Sequence, residues 1–167
     1  MRRLGVIAAV VVAALPLPSG AADPGRDVIG QVRVEVFFGT DEDPATAGPR
    51  AAAVDEETSK WLSAKEPLRF KHYRLLGSDS KPLYRSYENW AQPIAGSDEI
   101  LCRFEVESRV SRERKRLDLE LWLSRKKILK SGVVLGAGRP VLVLGPEWRN
   151  GRLIVAVELA PPGKEAK

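Results

Sequence analysis

Leu117-Asp118-Leu119-Glu120-Leu121-Trp122-Leu123 decides the fold class of this chain. Drawn out as a strand, the segment puts its four leucines on one face and Asp118, Glu120 and Trp122 on the other. A helix would scatter the leucines around its axis. The segment therefore reads as a β-strand with one buried and one wet face. Ile100, Cys102, Phe104 and Val106 alternate with Arg103, Glu105 and Glu107 in the same way. Trp122 is the exception on the wet side: either another element covers that face in part, or Trp122 is a contact residue.

Toward the C-terminus, Ile128 to Leu135 predicts a weaker strand, an edge guarded by Lys126, Lys127 and Lys130. Val141-Leu142-Val143-Leu144 and Leu153-Ile154-Val155-Ala156-Val157 are apolar on both faces, which predicts two central strands. Asn150-Gly151 between them signals a tight turn.

Toward the N-terminus, Val32 to Phe38 predicts a strand and Gly39 to Pro49 a loop. Ala51, Val54, Thr58, Trp61 and Leu62 share one face of a helix over roughly residues 50–65, which Pro67 stops. Phe70 to Leu76 predicts a second strand, ended by Gly77-Ser78-Asp79. Pro82 to Pro93 is aromatic and irregular. The expected fold is α+β: a mainly antiparallel sheet, flattened barrel or sandwich of about six to eight strands, with one helix packed on it. Its expected core is Val34, Val36, Trp61, Leu62, Tyr73, Leu75, Phe104, Val106, Leu119, Leu121, Val141, Val143, Val155 and Val157.

Met1-Arg2-Arg3 is positive, Leu4 to Leu17 is apolar apart from Gly5 and Pro16, and Ser19-Gly20-Ala21-Ala22 supplies small residues. This pattern predicts a secretory signal peptide over residues 1–22. Its apolar stretch is shorter than the roughly 20 residues of a membrane span. A polar lead-in (23–31), one strand-rich domain (32–160) and a flexible tail (161–167) would follow. The expected location is periplasmic or extracellular, with no transmembrane span after cleavage, which argues against cytosolic nucleotide chemistry and gene regulation.

Arg2 and Arg3 contribute two of the five units of net positive charge. The remaining +3 is ordinary for solubility and is not a nucleic-acid footprint. Cys102 is the only cysteine and His72 the only histidine. An intrachain disulfide is impossible, and a typical zinc site lacks ligands. No cofactor or metal is expected.

Three short patterns echo penicillin-binding enzymes: Ser78-Asp79-Ser80-Lys81, Ser97-Asp98-Glu99 and Lys130-Ser131-Gly132. That chemistry needs Ser78 at a helix start with Lys81 as its base, and Pro82 opposes a helix there. Gly136-Ala137-Gly138 resembles the start of a dinucleotide turn, but position 141 is Val where the third glycine belongs. His72 lacks a nucleophile in a recognisable motif and reads as structural; Cys102 reads as a small core residue.

The candidate binding residues are aromatic and basic. Tyr84, Tyr87 and Trp90 lie close together in loop-like sequence, and Trp122 stands on a polar strand face. Arg112, Arg114, Lys115 and Arg116, with Arg109, form the densest cationic cluster. In a meander it would lie at one end of the strands, with Arg125, Lys126, Lys127, Arg149 and Arg152 about 26 Å away at the other. With no convergent catalytic set, the expected function is a non-enzymatic module of the cell envelope that binds a protein partner. A carbohydrate- or anion-binding domain is the alternative, and a small hydrolase comes third.

Overall fold

The computed structural model describes residues 23–109, 111 and 114–160. The expected signal peptide, the expected tail and Arg112 lie outside them. In chain order the elements are β1 (Val28–Thr40), β2 (Ala52–Ala53), α1 (Glu56–Ser63), β3 (His72–Tyr84), β4 (Asn89–Ala91) and β5 (Ile100–Arg109). They continue with β6 (Arg114–Leu123), β7 (Lys126–Gly136), β8 (Val141–Trp148) and β9 (Gly151–Ala160). Every strand pairing is antiparallel and the expected α+β class holds. The described strands number nine, more than expected, and form an open sandwich rather than a barrel. The first sheet has the order β2-β3-β1-β9-β8 and the second the order β4-β5-β6-β7.

The facing surfaces of the two sheets make the main core. Phe104, Leu117 and Leu119 of the second sheet are fully buried in one cluster with Val32, Val36 and Val157 of the first. Truncating a large buried residue such as Phe104 to Ala removes transfer energy and leaves a void, at a cost of about 3–5 kcal/mol. Of the expected core, nine residues are buried; Trp61, Leu75, Val106, Val141 and Val143 pack partly buried against it.

The helix is shorter than its apolar spacing suggested. Ala52 and Ala53 pair with Leu75 and Arg74 as a short strand, which keeps the chain extended until Asp55. The Asp55 side chain then accepts the Thr58 N–H at 2.7 Å and caps α1. Leu62 is buried, and Trp61 meets Phe37 edge-on at 6.4 Å. The α1 layer covers Phe37, Tyr73, Ile154 and Ala156, which face away from the main core. β1 and β9 are therefore apolar on both sides in this region, as a strand covered from above and below must be.

Four expectations are corrected. β1 already begins at Val28, inside the stretch read as a polar lead-in. β3 does not stop at Gly77 but runs on to Tyr84. Val36 faces Gly77 and Phe37 faces Leu75, so Leu76 is the extra residue of a bulge. The bulge shifts the alternation, and it hides the continuity of the strand from a period-of-two reading. The two apolar runs are not both central either: β9 lies between β1 and β8, whereas β8 is an edge strand. The β8–β9 turn has Arg149 and Asn150 at φ 47° and 63°, so its central pair is one residue earlier than Asn150-Gly151. β7 is the edge of the second sheet, as its lysines implied.

Candidate functional site

The outer face of the second sheet carries two tryptophans among a lattice of charged side chains. Antiparallel register places Trp90, Arg103, Glu120 and Lys130 in one row across β4, β5, β6 and β7. The next row holds Leu101, Trp122 and Lys127. Trp90 and Trp122 are thereby diagonal neighbours, with ring centroids 5.8 Å apart and planes tilted by 55°. Trp90 is 36% exposed, while Trp122 is partly covered. The covering of Trp122 comes in part from Lys127, whose ammonium lies 5.4 Å from its ring centroid.

Charged groups surround the two indoles and satisfy one another. Trp122 Nε1 donates to Glu120 Oε2 at 3.0 Å, and Lys127 Nζ donates to Glu120 Oε1 at 3.0 Å. Trp90 Nε1 donates to Glu88 at 3.3 Å, and the same carboxylate accepts from Arg103. Arg103 also reaches Glu105 at 2.7 Å and Asp118 at 3.6 Å, and Lys130 reaches Asp118 at 2.9 Å. The Lys127 hydrogen bond holds the Glu120 carboxyl below its ordinary range, and the Arg103 hydrogen bond does the same for Glu88. Four carboxylates thus face three cations, and with only one negative charge in excess the lattice presents no strong field of either sign.

Tyr84 and Tyr87 stand apart from this pair. The Tyr87 hydroxyl donates to Asp23 Oδ2 at 2.6 Å, and the Arg26 guanidinium lies 5.7 Å from its ring. Tyr87 therefore clamps the short 3₁₀ turn at Pro24–Arg26. Tyr84 lines a shallow depression of about 310 Å³ with Arg26, Tyr87 and Glu88. Glu88 borders both this depression and the indole pair.

The three basic residues of the run on β6 do not share one face. Arg114 and Arg116 lie in positions of one phase on β6, and Lys115 between them is 6% exposed. Arg116 Nε donates to Glu107 at 2.8 Å. At the opposite end, the β6–β7 and β8–β9 turns are joined through Glu99. Its carbonyl accepts the Ser124 N–H at 2.8 Å, and its carboxylate accepts Trp148 Nε1 at 3.0 Å. Trp148, which the sequence reading passed over, packs edge-on against Phe38 at 5.6 Å, with the Arg149 guanidinium 4.2 Å from its ring. Nothing in a lone Trp beside a turn signals that role.

The remaining chemical candidates are separated. Ser78 and Lys81 lie three residues apart in β3, hence on opposite sides of the strand, and Lys81 bridges to Asp79 at 3.4 Å. Ser97 is in a loop, and Lys130 lies on the outer face of the second sheet. His72 is exposed, in a depression of about 390 Å³ that Asp55, Glu56 and Ser59 also line. Cys102 is fully buried, and burial pushes its thiol up to about 12. Among the described residues, no group of three or more His, Cys, Asp or Glu side chains is placed to hold a metal, and no helix is long and apolar enough to cross a membrane. No protein-family model, no curated protein and no solved structure matches this chain.

Proposed function

We propose that this chain is an exported, non-enzymatic module of the cell envelope that docks a protein partner on the outer face of its second sheet. The observation that carries this reading is the Trp90–Trp122 pair inside a rim of mutually satisfied ion pairs. Partly exposed aromatics at the centre of a polar rim have the make-up of an interface hot spot. The rim charges are already paired, so a partner meets a preorganised surface and orders few side chains on binding. Export rests on the Met1 to Ala22 pattern.

The tilt of the two indoles favours a protein over a glycan. A sugar ring stacks on a flat aromatic face, and two rings inclined at 55° do not offer one plane. The paired charges around the indoles likewise disfavour a polyanion there. The separation of Ser78 from Lys81 supports a module without hydrolase chemistry.

A photo-reactive residue at position 90 tests the docking face, with one at Ser78 on the opposite sheet as the control. In the native envelope, position 90 crosslinks to a partner protein, position 78 does not, and Trp122→Ala abolishes the product while the melting transition remains cooperative. Equal crosslinking at both positions overturns the assignment. A saturable fluorescence change with envelope glycans that Trp90→Ala removes would replace the protein partner with a sugar. Turnover in a hydrolase screen that is lost in Ser78→Ala or His72→Ala would overturn the non-enzymatic reading.

A further inference from the structure

The Gly136-Ala137-Gly138 segment is not a dinucleotide turn, yet it lies between two arginines, Arg114 and Arg139, that form no ion pair among the described residues. Gly136 closes β7 and pairs with Arg114 of β6 on one side. On its other side it bridges to Arg139, whose N–H donates to the Gly136 carbonyl at 3.3 Å. Residues paired across strands project on the same face, so Arg114 and Arg139 flank a position that has no side chain of its own. Two strand spacings separate their backbones by about 10 Å. Both arginines are exposed, and neither has a carboxylate within ion-pair distance among the described residues.

The two arginines line one depression of about 510 Å³ with Val134, Pro140 and Val141. Among the described residues, no carboxylate lines it. Three other depressions differ: Glu147, Asp55 with Glu56, and Glu88 each stand in one of them. The site therefore pairs two guanidinium forks with an apolar wall. A single fork saturates the two oxygens of a carboxylate, whereas a phosphate monoester has three terminal oxygens to share between two forks.

We propose that Arg114, Arg139 and the open Gly136 position form a binding site for a phosphate headgroup joined to an apolar body. The apolar body lies on Val134, Pro140 and Val141. The site lies at the far end of the same outer face, about 26 Å from Trp122 along β6, so it does not rest on the docking of a partner over the tryptophan pair.

Calorimetric titration of the folded protein with octyl phosphate tests the site, with octyl glucoside and inorganic phosphate as probes of the two halves. Octyl phosphate binds saturably, inorganic phosphate more weakly, and octyl glucoside not at all. Arg114→Gln/Arg139→Gln weakens octyl phosphate by at least about tenfold, the scale of one lost charge-assisted hydrogen bond. Arg139→Gln alone, in an exposed turn, gives the same direction of change if the double variant fails to fold. Co-sedimentation with phosphatidic acid–phosphatidylcholine vesicles separates the two sources. Retention that needs both arginines assigns the headgroup to a bilayer, and titration without retention assigns it to a free amphiphile. The proposal is overturned by absence of saturable binding, by octyl glucoside binding equally well, or by folded arginine variants that bind within about twofold of the wild type.

Discussion

Gly77→Ala should damage this protein far more than an ordinary glycine substitution in a strand. A Cβ at Gly77 would lie 2.1 Å from the Pro93 carbonyl oxygen and 3.0 Å from its carbon, both backbone atoms. Ordinary contact begins near 3.4 Å, so the segment after β4 must retreat by about 1.3 Å. That segment is fastened to β3 by the Gln92 N–H, which donates to Asp79 Oδ2 at 2.8 Å. Overpacking costs about 1–3 kcal/mol, and loss of a hydrogen bond to a partly exposed carboxylate adds about 1–1.5. The expected loss is about 3 kcal/mol, or a melting temperature lower by about 6–12 °C for a chain of this size. Gly138→Ala is the matched control. Its φ is +66° but nothing lies within 4 Å of the added carbon, so strain of about 1 kcal/mol is all it adds. Urea unfolding of both variants measures the difference, and near-ultraviolet circular dichroism follows the Trp90–Trp122 pair that β4 positions. A Gly77→Ala variant no less stable than Gly138→Ala, with the aromatic signal intact, would refute the close approach of this segment to β3.

Glu120→Gln should lower stability by about 1 kcal/mol at neutral pH, because the amide keeps only one accepting oxygen for Trp122 and Lys127 and no charge to pair with the ammonium. The Glu120 carboxyl is held low when folded, so its contribution is present above the ordinary carboxylate range and is lost as pH falls through the folded value. Urea midpoints of the variant and the wild type should therefore converge in acid; a gap that is constant with pH would contradict the assignment. Cys102 should resist thiol reagents until the whole domain unfolds, and Cys102→Ser should cost about 1–3 kcal/mol, more than Cys102→Ala, by burying a hydroxyl. Labelling faster than global unfolding would show that β5 opens locally. Asn150→Val should destabilise the β8–β9 turn by about 1–2 kcal/mol and Asn150→Gly should not, since φ is +63° there; equal midpoints for the two would exclude the left-handed turn.

The strands that alternate most strictly were legible in full. β5 and β6 bury Cys102, Phe104, Leu117, Leu119 and Leu121, as their period of two demands. β3 was half legible because its bulge at Leu76 breaks the alternation, and Gly77-Ser78-Asp79 has the composition of a turn. The glycine there answers to Pro93, sixteen residues away in sequence, and not to local geometry. The site was legible as residue types but not as groups. Trp90 and Trp122 were both singled out, yet only the β4–β5–β6 register makes them neighbours. Tyr84 and Tyr87 seemed to belong with Trp90, but Tyr87 is engaged with Asp23.

By itself, the sequence determined the α+β class, the wet and dry faces of the central hairpin and the lysine-guarded edge at β7. All three follow from local periodicity and from where charge is tolerated beside water. Only the folded chain shows that β8 is an edge, that Ser78 and Lys81 diverge and that Lys115 is buried between exposed Arg114 and Arg116. It also brought Arg114 and Arg139 to either side of Gly136. Those outcomes depend on strand order, bulges and register, which arise from long-range packing and leave no trace in the spacing of neighbouring residues.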